Sequence, residues 1–217
     1  MKEKHSRLVA VIGTVMIIAL IGIVFFYWYN NKHYVATEDA RVTGDLVKVS
    51  PKISGELLEF TIEEGDTVIK EQILGRVEPG TLSDNHIEQS VIRAPIDGIV
   101  VKKQGKIGEY ESAGESLAML VDPAHLYITA NIEETKLGRV RPGQAVDIAI
   151  DQFSETRFTG KVKYIGQAAN SCFSLLPTST SGTFTKIVQR VPVRIEFDKR
   201  SSNLIPGTNA VVKIRLK

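Results

Sequence analysis

The chain has 217 residues, of which 43% are hydrophobic and 24% are charged, a size that accommodates one or two small domains with an appended segment. Its 27 Lys and Arg residues nearly balance its 25 Asp and Glu residues, so the net charge does not favour a nucleic-acid partner. Cys172 is the only cysteine, which excludes an intrachain disulfide and a cysteine metal cluster. We interpret Cys172 as a filler in a loop or core rather than as a reactive thiol.

The N-terminal part of the chain contains an apolar segment, residues 8–29, in which no residue is charged. Thirteen of its 22 residues are Leu, Ile, Val or Phe, and each of these favours membrane insertion by roughly 0.3–0.6 kcal/mol. A helix of this length extends about 33 Å and therefore crosses a hydrocarbon core of about 30 Å. A cleaved signal peptide would have a shorter apolar region followed by a small-residue cleavage site. Here aromatic residues end the segment, as is typical of a membrane interface, so we predict a membrane-spanning helix.

The charges that flank this span predict its orientation. Lys2, Lys4 and Arg7 precede the span, whereas Lys32 is the one firm positive charge directly after it. Because positive residues favour the cytoplasmic side, we predict a cytoplasmic N-terminus and an extracytoplasmic body from residue 30 onward. Residues 8–29 would then anchor a single-pass protein in the cytoplasmic membrane.

Two stretches of the chain, residues 49–79 and 92–123, form an internal repeat. Four pairs of residues keep one offset of 43: Gly55 and Gly98, Gly65 and Gly108, Gln72 and Glu115, and Leu74 and Leu117. Neither half is long enough to bury a core by itself, so we predict that the two halves interlock as one small β-sandwich. The alternative is a chance recurrence of glycine and proline turns in a β-rich chain.

The segments that flank the repeat are also predicted to be β-structure. Residues 35–50 favour a strand with a turn at residues 43–45 that leads directly into the first half of the repeat. From Leu126 onward, apolar and polar residues alternate with the period of a half-buried strand. The predicted inward-facing runs are Leu126, Ile128, Ala130 and Ile132; Val146, Ile148 and Ile150; Phe158, Gly160, Val162 and Tyr164; Val191, Val193, Ile195 and Phe197; and Ala210, Val212, Ile214 and Leu216. Five such strands predict a small antiparallel barrel.

Several connections carry their own signals. Residues 141–144 and 205–208 each contain a Pro-Gly pair, which predicts a type II turn with the glycine at positive φ in the third position. Residues 134–139 favour a short helical turn, and residues 167–185 favour a long loop over the barrel. Residues 80–90, between the two halves of the repeat, are polar and too short for a stable helix of their own.

No combination of residues predicts a catalytic, cofactor-binding or metal site. The four histidines lie in separate settings without a carboxylate at ligand spacing: His5, His33, His86 and His125. Residues 75–81 have the glycine spacing of a phosphate loop but lack its lysine. We interpret the basic cluster at residues 102, 103 and 106 as a solvated face, and the paired acids at 63–64 and 133–134 as solvated turns. We therefore expect no enzyme activity, no cofactor and no metal.

The pattern of these segments resembles known families. A two-part sandwich resembles the lipoyl and biotinyl carrier domains, but those carry a modified lysine between the halves, and residues 80–90 contain no lysine. The whole chain from residue 8 to residue 217 resembles the membrane-fusion, or periplasmic adaptor, proteins of the HlyD and EmrA type. The segments that carry this resemblance are residues 37–42 (Thr-Glu-Asp-Ala-Arg-Val), 49–55, 92–100, 141–146 and 186–195.

This resemblance implies both an architecture and a role. The expected fold is mainly β, with a cytoplasmic N-terminus and membrane span in residues 1–34, a lipoyl-like barrel-sandwich hybrid in residues 35–124, and a small antiparallel β-barrel in residues 125–217. The expected role is that of an accessory adaptor subunit of a multidrug efflux or export transporter, which acts by protein contact outside the cytoplasmic membrane. The expected partners are a multi-pass transporter, of the major-facilitator type by the EmrA likeness, the lipid bilayer and further copies of the chain, and not nucleic acid.

One departure from the family pattern concerns the join between the halves. Most members insert a long α-helical hairpin there, and three heptads per arm alone need about 42 residues, whereas residues 80–90 number 11. A direct bridge to an outer membrane is therefore not expected, and a Gram-positive source would fit. Two other hypotheses stay open: a free-standing envelope module that captures a small molecule or a wall component, and a carrier-like subunit that holds a cofactor.

Overall fold

The first element of the structure is a long helix, and the remaining elements are almost all β-strands. The computed structural model describes residues 2–79, 87–153, 155–173, 188–199 and 204–216. Helix α1 (Lys2–His33) contains the predicted span, so the helix prediction is confirmed. Within the described residues, its section Val15–His33 is the one helix that is long and apolar enough to cross a membrane. Its described apolar side chains are exposed, as expected of a helix surrounded by lipid.

Fourteen strands and two single-turn α-helices follow in the described residues, together with three short 3-10 helices. Eight strands form the sandwich: β2 (Leu46–Val49), β3 (Gly55–Phe60), β4 (Thr67–Val68), β5 (Ile73–Pro79), β6 (Val91–Arg93), β7 (Gly98–Lys103), β8 (Tyr110–Glu111) and β9 (Ala118–Val121). Six strands form the barrel: β1 (Tyr34–Thr43), β10 (Tyr127–Glu133), β11 (Ala145–Ile150), β12 (Arg157–Ile165), β13 (Arg190–Phe197) and β14 (Asn209–Arg215). The two helical turns are α2 (Ile87–Ser90) and α3 (Glu134–Leu137). Helix α1 and most of the barrel belong to one compact unit, and the sandwich belongs to the other.

The sandwich takes two strands from each half of the repeat for each of its two sheets. One sheet has the strand order β2-β9-β7-β4 and the other has the order β6-β5-β3-β8. The first half supplies β2 to β5 and the second half supplies β6 to β9, so exchanging the halves converts one sheet into the other. Neither half contains a complete sheet, which confirms the predicted interlocking.

The two sheets enclose one apolar core to which both halves contribute. Leu74 and Leu117, which are equivalent in the repeat, are both fully buried in it. Close approach of the strands requires glycine at two equivalent positions. A Cβ atom on Gly55 would lie 2.1 Å from the carbonyl oxygen of Glu78, and one on Gly98 would lie 2.5 Å from that of Val121. The glycine repeat therefore marks the places where strands of the sandwich pass backbone against backbone.

The barrel is closed by six strands rather than the five predicted from residue 126 onward. Its order is β1-β10-β13-β12-β11-β14, so the additional strand is β1, which we expected to lead into the sandwich. Val35, Ala40 and Val42 of β1 are buried. The physical reason for the correction is that a five-stranded sheet of β10 to β14 would leave two open edges, and β1 covers both. The predicted turn after this strand is present, since β2 begins at Leu46.

The alternation within the barrel strands is confirmed with one exception. Residues such as Ile132, Ile148, Ile195 and Ile214 are almost completely buried, as predicted. Tyr164 is 52% exposed, although the alternation places it inward. The pairing of β12 with β13 shifts by one residue between Val162 and Tyr164. A β-bulge of this kind turns the following side chains to the opposite face, so the prediction for Tyr164 is wrong.

The predicted connections are partly described. Gly143 and Gly207 have φ angles of 85° and 91°, which confirms the positive-φ glycine in both Pro-Gly turns. Helix α3 confirms the helical turn after β10. A single helical turn, α2, lies at the end of the join between the halves, where we expected no helix. The other residues of that join, 80–86, and residues 174–185 of the predicted long loop lie outside the described residues.

Candidate functional site

The charged clusters weighed in the sequence are arranged as partly exposed ion pairs. The Nζ atom of Lys103 lies 2.7 Å from Oε1 of Glu63, and the backbone N–H of Lys103 donates to Oε1 of Glu64 at 3.0 Å. The Nζ atom of Lys106 lies 3.6 Å from Oε1 of Glu109. These cations and carboxylates neutralise one another, so the arrangement leaves little attraction for a further anion.

The other residues considered for chemistry lie apart from one another. Residues Gly75 to Pro79 form part of β5, so they adopt a strand conformation and not that of a phosphate loop. Nδ1 of His125 lies 2.5 Å from Oδ2 of Asp122 in an exposed turn. Cys172 is exposed in a short 3-10 helix, Asn170–Phe173. Among the described residues, no group of three or more His, Cys, Asp or Glu side chains is placed to hold a metal ion.

The most distinctive local geometry lies where helix α1 meets the barrel. Nη2 of Arg139 donates to the carbonyl oxygens of Asn31 at 2.6 Å and of Lys32 at 2.7 Å. The backbone N–H of Leu216, just after β14, donates to the carbonyl oxygen of His33 at 2.8 Å. The last carbonyls of a helix have no partner within the helix and carry partial negative charge. Here a barrel cation and a barrel amide satisfy three of them, so the helix end is attached to the barrel.

A buried glutamine fixes the loop that carries Arg139. Gln144 is 6% exposed; its Nε2 donates to the carbonyl oxygen of Arg139 at 3.2 Å, and its Oε1 accepts from the backbone N–H of Arg141 at 2.9 Å. The amide of Gly143 donates to the carbonyl oxygen of Val162 on β12 at 2.8 Å. The turn is thus held on both sides, and the position of Arg139 is set before it meets the helix.

A cavity of about 470 Å³ lies beside this attachment. Its lining residues are Lys32, Gly138, Arg139, Arg141, Pro142, Gly143, Gln144 and Leu216. The lining contains three cations and no carboxylate. Nζ of Lys32 also lies 4.9 Å from the ring centroid of Trp28, close enough for a cation–π interaction.

A second polar arrangement crosses three neighbouring strands of the barrel. Asp39 of β1 forms an ion pair with Arg190 of β13, and its Oδ1 accepts from Nδ2 of Asn131 on β10 at 3.0 Å. Asn170 in turn donates from Nδ2 to Oδ1 of Asn131 at 2.9 Å. The hydroxyl of Thr37 donates to the carbonyl oxygen of Asn131 at 3.1 Å. The segments 37–42 and 186–195, which both carried the family resemblance, therefore meet through Asp39 and Arg190.

The charges beside this arrangement favour the ionised form of Glu133, at the end of β10. Lys136 donates to the carboxylate of Glu133, with 2.8 Å between Nζ and Oε2. This hydrogen bond and the charge of Lys136 lower the pKa of Glu133, and the charge of Arg190 lowers it further. Sequence reasoning missed the arrangement because alternation indicates which residues are polar but not which strands are neighbours. The sequence signal for this contact was limited to an acidic residue in segment 37–42 and a basic residue in segment 186–195.

Comparison with known proteins bears on the whole chain. Residues 45–123 match the model of the RND membrane-fusion-protein barrel-sandwich hybrid domain, and residues 125–215 match that of the AAEA-like β-barrel domain. YhbJ of Bacillus subtilis (strain 168), whose name describes an efflux system component, is 36% identical over 98% of this chain and 95% of its own length. The chain belongs to the membrane fusion protein family of efflux systems. The fold and the family expected from the sequence are therefore confirmed.

Other family members share only part of their length with this chain. The multidrug export protein EmrA of Haemophilus influenzae is 35% identical over 60% of this chain, which spans about a third (35%) of EmrA. The solved structure of the periplasmic adaptor protein EmrA has a TM-score of 0.59 and 16% identity, and the match covers 85% of this chain and 99% of that one. This second likeness concerns the fold alone. The adaptor family to which these proteins belong is anchored in a membrane and periplasmic, and this chain has one N-terminal apolar helix, α1, among its described residues.

Proposed function

We propose that the protein is a membrane-anchored adaptor subunit of a multidrug efflux or export transporter. In this proposal it acts by protein–protein contact outside the cytoplasmic membrane, catalyses no reaction and uses no cofactor or metal. The names of its relatives support the proposal, because they describe YhbJ as an efflux system component and EmrA as a multidrug export protein. The proposed partner is a multi-pass transporter of the major-facilitator type, and the chain acts as a homo-oligomer.

The proposed organisation follows the division expected from the sequence, with β1 transferred to the barrel. Residues 1–34 are the cytoplasmic N-terminus and single span, the sandwich follows as a barrel-sandwich hybrid, and residues 125–217 together with β1 form the barrel. The match to the two domain models on either side of residue 124 supports this division. The positive residues before the span support a cytoplasmic N-terminus.

The observation that carries the proposal is the attachment of the barrel to the end of helix α1. The helix ends at His33 and β1 begins at Tyr34, so no linker separates them. Arg139 and Leu216 fasten the same junction from the barrel side. A barrel held in this way presents its surface to neighbouring proteins of the same membrane. Confinement raises the effective concentration of the two partners to about the millimolar range, so contacts of modest area suffice for a working complex.

The primary test is crosslinking and deletion in cells. We expect crosslinking to recover a complex with a multi-pass exporter, and deletion of the protein to lower export, measured as drug susceptibility. Replacing residues 8–29 with an unrelated span is expected to weaken the complex, whereas removing residues 126–217 abolishes it. If no transporter is recovered and deletion leaves susceptibility and secretion unchanged, the adaptor role is wrong and a free-standing binding module replaces it.

A sharper test removes one attachment residue. Arg139→Ala frees the carbonyls of Asn31 and Lys32, so the barrel is held less firmly and export is expected to fall while the protein stays in the membrane. Arg157→Ala makes the same chemical change at another exposed barrel position and serves as the matched control. Thermal unfolding of both variants checks that the barrel still folds. Equal export by the two variants would contradict the importance of the attachment.

A further inference from the structure

The cavity beside the helix end has the charge of an anion site. Lys32, Arg139 and Arg141 line it, and none of the three forms an ion pair with a carboxylate among the described residues. Among the described residues, the two guanidinium groups donate to backbone carbonyls: Nη2 of Arg139 to those of Asn31 and Lys32, and Nη1 of Arg141 to that of Val140. This differs from the lysines at residues 103 and 106, which each pair with a glutamate.

With helix α1 spanning the membrane as proposed, the cavity lies at the membrane interface. Lys32 is in the last turn of α1, directly after the aromatic residues that end the span, and Trp28 and Tyr29 are 56% and 48% exposed. Aromatic residues in this position lie at the level of the lipid headgroups. The volume of about 470 Å³ falls within the roughly 300–1,000 Å³ of small-molecule sites. We propose that this cavity binds the phosphate of an anionic phospholipid headgroup.

The local chemistry favours phosphate despite the adjacent helix end. The carboxyl end of a helix carries partial negative charge and repels an anion. Arg139 already covers two of the terminal carbonyls, so its positive charge offsets that repulsion where it is largest. The planar guanidinium of Arg141 suits bidentate contact with phosphate oxygens, and the ammonium of Lys32 adds a mobile point charge. The fixed turn around Gln144 holds the two arginines in place before the lipid binds.

The chain contains its own reporter for this site. Trp28 is the only tryptophan, and Nζ of Lys32 lies 4.9 Å from its ring. The full-length protein is reconstituted into phosphatidylcholine vesicles that contain either dibrominated phosphatidylglycerol or dibrominated phosphatidylcholine at equal mole fraction. Quenching of Trp28 by the two lipids gives their relative affinity at this position. We expect a preference for phosphatidylglycerol of about fivefold or more, since one basic residue near an anionic surface contributes about that factor.

Two double substitutions distinguish lipid binding in this cavity from a general effect of positive surface charge. Lys32→Gln with Arg141→Gln is expected to reduce the preference to about one, whereas Lys102→Gln with Lys106→Gln, which removes the same charge from the sandwich, retains it. Because Lys32→Gln alters the surroundings of Trp28 itself, only the ratio between the two lipids is compared within each variant. Arg141→Gln alone keeps the contact between Lys32 and Trp28 and must also lower the ratio.

A final arm distinguishes a lipid from a free anion. Inorganic phosphate is added to the vesicles at constant ionic strength, and we expect the lipid preference to persist. Loss of the preference in phosphate, or a Trp28 response to phosphate without any lipid preference, assigns the cavity to a free anion and overturns the lipid proposal. An equal preference in the wild-type and Lys32/Arg141 variants overturns it as well. The test uses no transporter, so its result is independent of the proposed adaptor role.

Discussion

The two halves of the sandwich are more alike in their backbone hydrogen bonds than in their side chains. The amide of Gly65 donates to the carbonyl oxygen of Val100 at 2.8 Å, and the amide of Gly108, 43 residues later, donates to that of Leu57 at 2.8 Å. The side chain of residue 72 closes one turn and that of residue 115 closes the equivalent turn. Each half supplies the partner strand that the other half lacks. What recurs in the two halves is therefore the set of hydrogen bonds that holds them together, rather than a common exposed surface.

The halves differ at two informative positions. Glu71 has a φ angle of 66°, whereas its equivalent Gly114 has a φ angle of 84°. Val68 in β4 is equivalent to Glu111 in β8, and both are buried, at 1% and 7% exposure. The first half therefore holds a side chain in a backbone conformation suited to glycine, and the second half buries an acid where the first buries an apolar residue. These differences show how far equivalent positions tolerate unequal chemistry once the backbone bonds are kept.

The largest loss of sandwich stability is expected from substitutions at the two equivalent glycines. Gly55→Ala and Gly98→Ala would place a Cβ atom 2.1 Å and 2.5 Å from a carbonyl oxygen, so the strands must separate, which we expect to cost about 3 kcal/mol of unfolding free energy. Hydrogen exchange of the core amides of the sandwich measures the loss. Gly138→Ala is the matched control, because a Cβ atom there has open space and its φ angle is −55°. A loss in only one of the two variants would show that the halves are not equivalent.

A smaller effect is expected at the unequal turn. Gly114→Ala forces a side chain into the left-handed region and is expected to cost about 1–2 kcal/mol. Glu71→Gly relieves the same strain, partly offset by the greater freedom of glycine in the unfolded chain, so a gain of about 0.5 kcal/mol is expected. The same exchange measurement tests both variants. If Glu71→Gly destabilises the sandwich, the side chain of Glu71 has a contact that outweighs its strain.

The repeat explains why the sandwich could be predicted from sequence more fully than the junction with the helix. Local requirements on the backbone are visible in the sequence, as glycine at positions 55 and 98 and as the alternation of apolar residues. The membership of β1 in the barrel and the outward turn of Tyr164 depend on which strands become neighbours and where a bulge falls. The attachment of Arg139 to Asn31 joins residues 108 positions apart by backbone carbonyls, which are the same for every residue type. No sequence pattern carries such a contact.

An effect of about 1 kcal/mol is expected from the turn side chains. Oε1 of Gln72 accepts from the amide of Ile69 at 2.9 Å, and Oε2 of Glu115 accepts from that of Ser112 at 3.0 Å. Gln72→Ala and Glu115→Ala each remove one such bond, and exposed hydrogen bonds of this kind are worth about 1 kcal/mol. Because the turns lie in different halves without a shared partner, the double variant is expected to lose the sum. A clear departure from additivity would mean that the two turns are coupled through the core.

The smallest effect is expected from Glu111, and it depends on pH. Burial, and then the negative charges of Glu115 and Glu109, raise the pKa of Glu111 above its ordinary value of 4.5. Between its unfolded and folded pKa, the folded state binds more protons than the unfolded state, so the free energy of unfolding falls as pH rises. The stabilisation is fully present below the unfolded pKa and is lost as pH rises through the raised folded pKa.

Two substitutions compare this acid with its apolar equivalent. Glu111→Gln removes the titration, so the fall of stability with pH is expected to be less steep than in the wild-type protein. Glu111→Val copies Val68 of the first half and is expected to remove the same slope while raising stability near neutral pH, because a charge no longer has to be buried there. Hydrogen exchange of the sandwich amides across this pH range measures the stability of both variants. Subtracting the wild-type values removes the contribution of the other carboxylates to the pH dependence. If stability falls with pH as steeply in both variants as in the wild-type protein, the pH dependence arises from other groups and the acid at position 111 has no effect on stability.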